Sequence, residues 1–143
     1  VHGPDLDGCS VSVSISFASY ICDDIDALSS FYADVFGFDE VEELHSDIFR
    51  GLDVDGTVLG FSAKVVYEML SIERWSDASG TKQYLTFEVD SSAAVLAATS
   101  ASTDRGAELL HEPYETYYGA FQSVLADPEG NVFRINHMLC ASL

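Results

Sequence analysis

The chain has 143 residues, 48% of them apolar and 21% charged, which suffices for one domain with its own core and excludes both a multidomain enzyme and a disordered chain. Six basic side chains stand against 24 acidic ones, a formal net charge of −18, and so negative a surface repels phosphate backbones and anionic membrane faces. Nucleic acid and membrane are therefore excluded as expected partners.

No apolar run approaches the roughly 18 to 20 residues that cross a bilayer, and the first residues lack the basic start and apolar centre of a signal peptide. Cys9, Cys22 and Cys140 are an odd number at wide spacing, which suits reduced thiols and a cytoplasmic location better than a disulfide framework.

In chain order, residues 11–21 alternate as a strand. After Asp24, the apolar residues Ile25, Leu28, Tyr32 and Val35 share one helical face, and Gly37 is placed to end that helix. Strands are expected over 38–44 and 47–52, then a turn at Asp53-Val54-Asp55-Gly56, then a strand over 57–64. Residues 66–80, with Trp75 and a Ser/Asp/Gly-rich end, form the expected linker between a first module, 11–65, and a second, 81–138. The second module repeats the order: a strand over 82–89, an alanine-rich helix from Asp90 to Gly106, strands over 107–111 and 120–126, a turn, and a strand over 131–137. The two turns themselves correspond, Asp53-Val54-Asp55-Gly56-Thr57-Val58 with Asp127-Pro128-Glu129-Gly130-Asn131-Val132. Acidic residues followed by Gly favour tight turns, because Asp bonds its own backbone and Gly accepts positive φ. The pattern is β-α-β-β-β twice, an α+β chain in a single domain.

Asp24 with Phe31-Tyr32-Ala33-Asp34-Val35-Phe36-Gly37-Phe38, then Leu85-Thr86-Phe87-Glu88-Val89-Asp90, Gly106-Ala107-Glu108 and Asp127-Pro128-Glu129-Gly130-Asn131-Val132-Phe133, resemble the vicinal oxygen chelate superfamily of glyoxalases, bleomycin resistance proteins and extradiol dioxygenases. The likeness runs from about residue 11 to about residue 137. It implies two βαβββ modules forming curled mixed sheets around a ligand cavity, and a homodimer. It also implies four metal-ligand positions, one on the first and one on the last strand of each module, which fall here on Phe17, Gly60, Tyr84 and Arg134. None suits a divalent cation, which takes carboxylate, imidazole or thiolate donors. The expectation is no metal and no cofactor. His2, in what reads as a tail, and His45, His111 and His137 are expected to be ordinary surface or packing residues.

With the register that the resemblance implies, strand parity turns Phe17, Ser19 and Ile21, Ile48 and Arg50, Gly60 and Ser62, Tyr84, Thr86 and Glu88, Gln122 and Val124, and Val132, Arg134 and Asn136 into the cavity. The opposite parity, including Leu85, Phe87, Phe121, Leu125, Phe133 and Ile135, is almost wholly apolar and suits packing against helices. Arg50 and Arg134 can fork onto an anion, with Phe17 and Tyr84 as walls and Ser19, Thr86 and Gln122 as hydrogen-bonding groups. Against this stands an internal ion pair, Arg134 with Glu88. Glu88 and Tyr84 are the candidate catalytic acid–base groups. Tyr114, Tyr117 and Tyr118 form an expected loop, either a lid, with Tyr118 on the ligand, or a dimer contact.

Three functions fit. The first is a metal-independent binding protein that sequesters a small aromatic or anionic compound, in the manner of the bleomycin resistance branch. The second is a metal-free isomerase, epimerase or lyase acting next to a carbonyl. The third is a dimerisation or regulatory domain that binds nothing.

Overall fold

A computed structural model describes residues 2–6, 9–77 and 79–139. Two short strands, β1 (His2–Leu6) and β2 (Cys9–Ser12), pair antiparallel ahead of the modules. The residues read as a tail and as the start of the first long strand thus form a hairpin of their own. Cys140 lies outside the described residues, and Cys22 is a buried free thiol.

The first module holds β3 (Phe17–Cys22), α1 (Ile25–Phe36), β4 (Asp39–Glu40), β5 (Phe49–Val54) and β6 (Thr57–Ala63). α1 starts where Asp24 accepts the Ala27 amide at 3.0 Å and stops where Gly37, at φ 75°, donates to the Ala33 carbonyl. Its sheet has the order β3-β6-β5-β4, with β3 and β6 parallel. The expected strand over 38–44 shrinks to two residues, and a 3₁₀ turn over Glu42–Leu44 follows. The hairpin between β5 and β6 turns through Asp55 and Gly56, at φ 50° and 91°. Two positive φ values in succession suit the twist of paired strands.

One helical turn, α2 (Val66–Met69), lies within the expected linker. The second module holds β7 (Leu85–Glu88), α3 (Ser92–Asp104), β8 (Glu108–Glu115), β9 (Ala120–Ala126) and β10 (Val132–Met138), in the sheet order β7-β10-β9-β8. Parallel pairing of β7 with β10 mirrors that of β3 with β6. β8 runs further than the sequence suggests, so that Tyr114 belongs to a strand opposite Gln122 instead of to a loop.

The two long helices, α1 and α3, pack against each other, α1 on the first sheet and α3 on the second. Tyr32 of α1, completely buried, touches Phe61 of the first sheet and Phe87 and Phe133 of the second. Phe36 stacks on Phe87 with ring centroids 4.6 Å apart. One core therefore serves both modules and buries the apolar parity of β7, β9 and β10. Polar contacts reinforce the junction. Glu129, in the β9–β10 turn, accepts the backbone amides of Asp23 and Asp24 at 2.7 and 3.0 Å, and Tyr32 donates to Asp127 at 2.7 Å.

Candidate functional site

With the helices on the core side, the opposite side of the sheets is left for the alternate residues. On the second sheet these form rows fixed by register. Thr86, Arg134 and Val124 lie in one row across β7, β10 and β9, and Glu88, Asn136 and Gln122 lie in the next. β8 continues the rows with His111 and Tyr114.

Arg134 is the hub. Its Nε donates to Thr86 Oγ1 at 2.9 Å, and its Nη1 donates to Tyr118 Oη at 3.1 Å and Gln122 Oε1 at 3.3 Å. Its guanidinium carbon sits 5.0 Å from the centre of the Tyr84 ring, a cation–π distance. Tyr118 also donates to Gln122 Oε1 at 2.8 Å, and Gln122 Nε2 donates to Tyr114 Oη at 3.0 Å. Among the described residues Arg134 has no ion-pair partner, and its Nη2 makes no hydrogen bond.

Glu88, the sequence candidate for its counter-ion, is engaged elsewhere. Its Oε1 accepts from Asn136 Nδ2 at 2.8 Å and its Oε2 from the Met138 amide at 2.7 Å. The structure thus gathers Tyr84, Thr86, Gln122, Arg134 and Tyr118 about one guanidinium, with Glu88 one row away.

The other half of the expected site is arranged differently. Ser19 does line a cavity of about 300 Å³ with Tyr84, at the seam where β3 and β7 face each other. Phe17 packs edge-on to Phe49 at 6.1 Å and is half-exposed.

Arg50 must be corrected. It faces the helix side, where its Nε binds Asp26 of α1 at 2.8 Å and its Nη1 reaches the Ser46 and Phe49 carbonyls. β5 pairs Arg50 with core-facing Phe61 and Gly51 with Gly60, one residue out of step with the expected parity of Ile48 and Arg50. Phe49, Gly51 and Asp53 are the residues of β5 with the open-face parity, and Phe49 was missed. Its signal was available: Leu52 and Val54 share the parity of Arg50, and an apolar pair next to a helix marks the core side. An arginine there runs its stem along the core and carries its charge out to Asp26.

The four positions where the resemblance puts metal ligands hold groups unsuited to a cation. Phe17 has no donor, Tyr84 lies beside the Arg134 guanidinium, and Arg134 is itself a cation bound by neutral partners. At Gly60 a side chain would run into Ser19 Oγ and would place a Cβ 2.8 Å from Phe49 Cζ. Among the described residues no three His, Cys, Asp or Glu side chains gather as a possible ligand set. The residues present do not fit a divalent ion at this place.

His45, His111 and His137 each bond a different neighbour. His45 bonds Glu40 at 2.7 Å, His111 the Glu112 carbonyl at 2.7 Å, and His137 the Val89 carbonyl at 2.9 Å. His111, on the open face with its ring 3.9 Å from that of Tyr114, is the one that borders the Arg134 rows.

Residues 14–135 match the family model of the Glyoxalase/Bleomycin resistance protein/Dioxygenase superfamily. The chain belongs to this superfamily. A structure described as a glyoxalase/bleomycin resistance protein/dioxygenase family enzyme from Burkholderia phytofirmans PsJN is 45% identical, with a TM-score of 0.87 over 89% of this chain and all of that one. A glyoxalase-related enzyme from Fulvimarina pelagi is 20% identical, with a TM-score of 0.71 over 87% of each chain. A lactoylglutathione lyase from Agrobacterium tumefaciens is 19% identical, with a TM-score of 0.67 over 89% of this chain and 95% of that one. The last two establish a shared fold. A search of the curated proteins gives no match. Glyoxalase/bleomycin-resistance architecture accounts for the doubled βαβββ order and for the two mixed four-stranded sheets. Among the described residues no helix is long and apolar enough to cross a membrane.

Proposed function

We propose that this member of the superfamily is a metal-independent small-molecule-binding protein that takes an anionic, aromatic compound on the open face of its second sheet, with Arg134 as the anion-binding group. The observation that carries the reading is the isolation of that guanidinium. In a chain with 24 acidic and six basic residues, Arg134 is surrounded by hydroxyl, amide and aromatic groups and pairs with no carboxylate among the described residues.

Three neutral acceptors orient the guanidinium but leave its charge uncompensated. With Nε and Nη1 engaged, the two N–H groups of Nη2 remain to donate singly to the oxygens of an anion. Tyr84, about half exposed beneath the guanidinium, offers a face to an aromatic ring, and Tyr118 closes the cluster from the β8–β9 turn. A charge-assisted hydrogen bond from Nη2 to a carboxylate supplies affinity, and the Tyr84 face beside it supplies orientation. The binding reading is favoured over an isomerase or lyase reading because both carboxylate oxygens of Glu88 are already held by Asn136 and Met138.

Isothermal titration with 3-phenylpropionate and related aromatic carboxylates tests the proposal. Binding to the wild-type chain is expected, with a loss of at least tenfold in Arg134→Ala and partial retention in Arg134→Lys. Equal affinity in wild type and Arg134→Ala, or one equivalent of a transition metal in the purified protein by elemental analysis, overturns it.

A further inference from the structure

Beside Arg134, the next row of the open face contains a polar atom without a partner. Asn136 is 5% exposed, and its Oδ1 is the buried side-chain oxygen that finds no hydrogen-bond donor among the described residues. Its Nδ2 is committed to Glu88, which fixes the amide with the carbonyl oxygen left over. Directly opposite on β9 stands Gln122, 3% exposed. Its Nε2 uses one N–H on Tyr114, and its Oε1 is filled by Tyr118 and Arg134.

One unused acceptor on Asn136 and one unused N–H on Gln122 therefore occur on adjacent strands in a cross-strand pair, where side chains start about 5 Å apart. A buried acceptor left unsatisfied costs about 1–3 kcal/mol, so this break in the network calls for a group that both donates and accepts. A hydroxyl does both; an ether or a methylene does not. Because Gln122 Oε1 also bonds Arg134 Nη1, such a hydroxyl would sit close to an anion on the same guanidinium.

We infer that the ligand is a hydroxycarboxylate: its carboxylate engages Arg134, and its hydroxyl donates to Asn136 Oδ1 while accepting from Gln122 Nε2. The inference rests on the anion-binding reading above and adds the second functional group of the ligand.

The test compares three acids on the wild-type chain by titration calorimetry: 3-phenylpropionate, 3-phenyllactate and 3-hydroxy-3-phenylpropionate, which differ only in the presence and place of a hydroxyl. At least one hydroxy acid is expected to bind about tenfold or more tightly than the parent acid, since a site with unpaired buried polar groups penalises a ligand that lacks their partner. In Asn136→Leu the ratio of the two affinities is expected to fall to about one. If all three acids bind the wild type equally, the hydroxyl subsite is wrong while the anion site stands. If none binds, the reading of Arg134 itself fails. The wild-type ratio decides the matter even if Asn136→Leu does not fold.

Discussion

Replacing Tyr32 with Phe tests the junction that holds the two modules in one body. The ring of Tyr32 is completely buried among Phe31, Phe36, Phe61, Phe87 and Phe133, and Phe keeps those contacts. What disappears is the hydroxyl, which donates to Asp127 Oδ2 at 2.7 Å inside the protein. Burial, with Tyr20 and Asp127 alongside, drives the phenol far above its ordinary titration range, so it is a proton donor at any working pH.

A hydrogen bond to a charged acceptor contributes about 1.5–3 kcal/mol. Asp127 Oδ2 retains Asn131 Nδ2 at 3.0 Å, and Oδ1 retains the amides of Glu129 and Asn131. The carboxylate is therefore not orphaned, and the loss belongs in the lower half of that range, about 2 kcal/mol. In a domain of this size 1 kcal/mol moves Tm by roughly 2–4 °C, so Tyr32→Phe should lower Tm by about 4–8 °C. Urea unfolding followed by circular dichroism should give a lower midpoint at unchanged slope. A loss below about 0.5 kcal/mol would refute the reasoning, for it would mean that the bond between the modules adds nothing to the shared aromatic core.

Two further expectations concern the first sheet and alkaline pH. Gly60→Ala should destabilise the fold by about 1–3 kcal/mol, because the new Cβ meets Ser19 Oγ and lies 2.8 Å from Phe49 Cζ, so the ring must move; a neutral result in urea unfolding would show that the ring swings away freely. Stability should also fall as pH rises from about 9 towards 12. Burial, with Glu129 and Asp127 nearby, pushes the Cys22 thiol from 9.0 up to about 12, and burial pushes Tyr20 from 10.0 up to about 12. The unfolded chain then releases these protons first, so the contribution is complete below about pH 9 and lost above it. Urea midpoints between about pH 8 and pH 11 should decline, and less steeply above about pH 9 in Cys22→Ala; an identical slope in that variant would remove the thiol from the account.

Much of the architecture was legible because it depends on local rules. Asp24 and Gly37 bracket α1 through a cap and a left-handed residue, and the Asp/Gly turns before β6 and β10 follow from φ alone. Alternation on β7, β9 and β10 separated Leu85, Phe87, Leu125, Phe133 and Ile135 from Thr86, Gln122 and Arg134, since a period of two puts neighbours on opposite faces. With the phase that the family resemblance implied, that periodicity put Tyr84, Thr86, Gln122 and Arg134 on one face, and the aromatic loop before β9 supplied Tyr118.

Periodicity has no origin, however, and on β5 a choice of phase one residue off exchanged Arg50 for Phe49. Pairing with β6, which sets Gly51 against Gly60, fixed which face was open, in agreement with the apolar parity of Leu52 and Val54. Tertiary structure likewise decided that Glu88 binds Asn136 and Met138 instead of neutralising Arg134, because the partner of a long side chain depends on distances across strands far apart in the chain. By itself the sequence determined the repeated order of the main strands and helices of the two modules and, on β7, β9 and β10, the kinds of side chain on each face. Contacts between residues such as Arg134 and Tyr118, or Tyr32 and Asp127, arise only when separate segments are packed, and these determine where charge is left uncompensated.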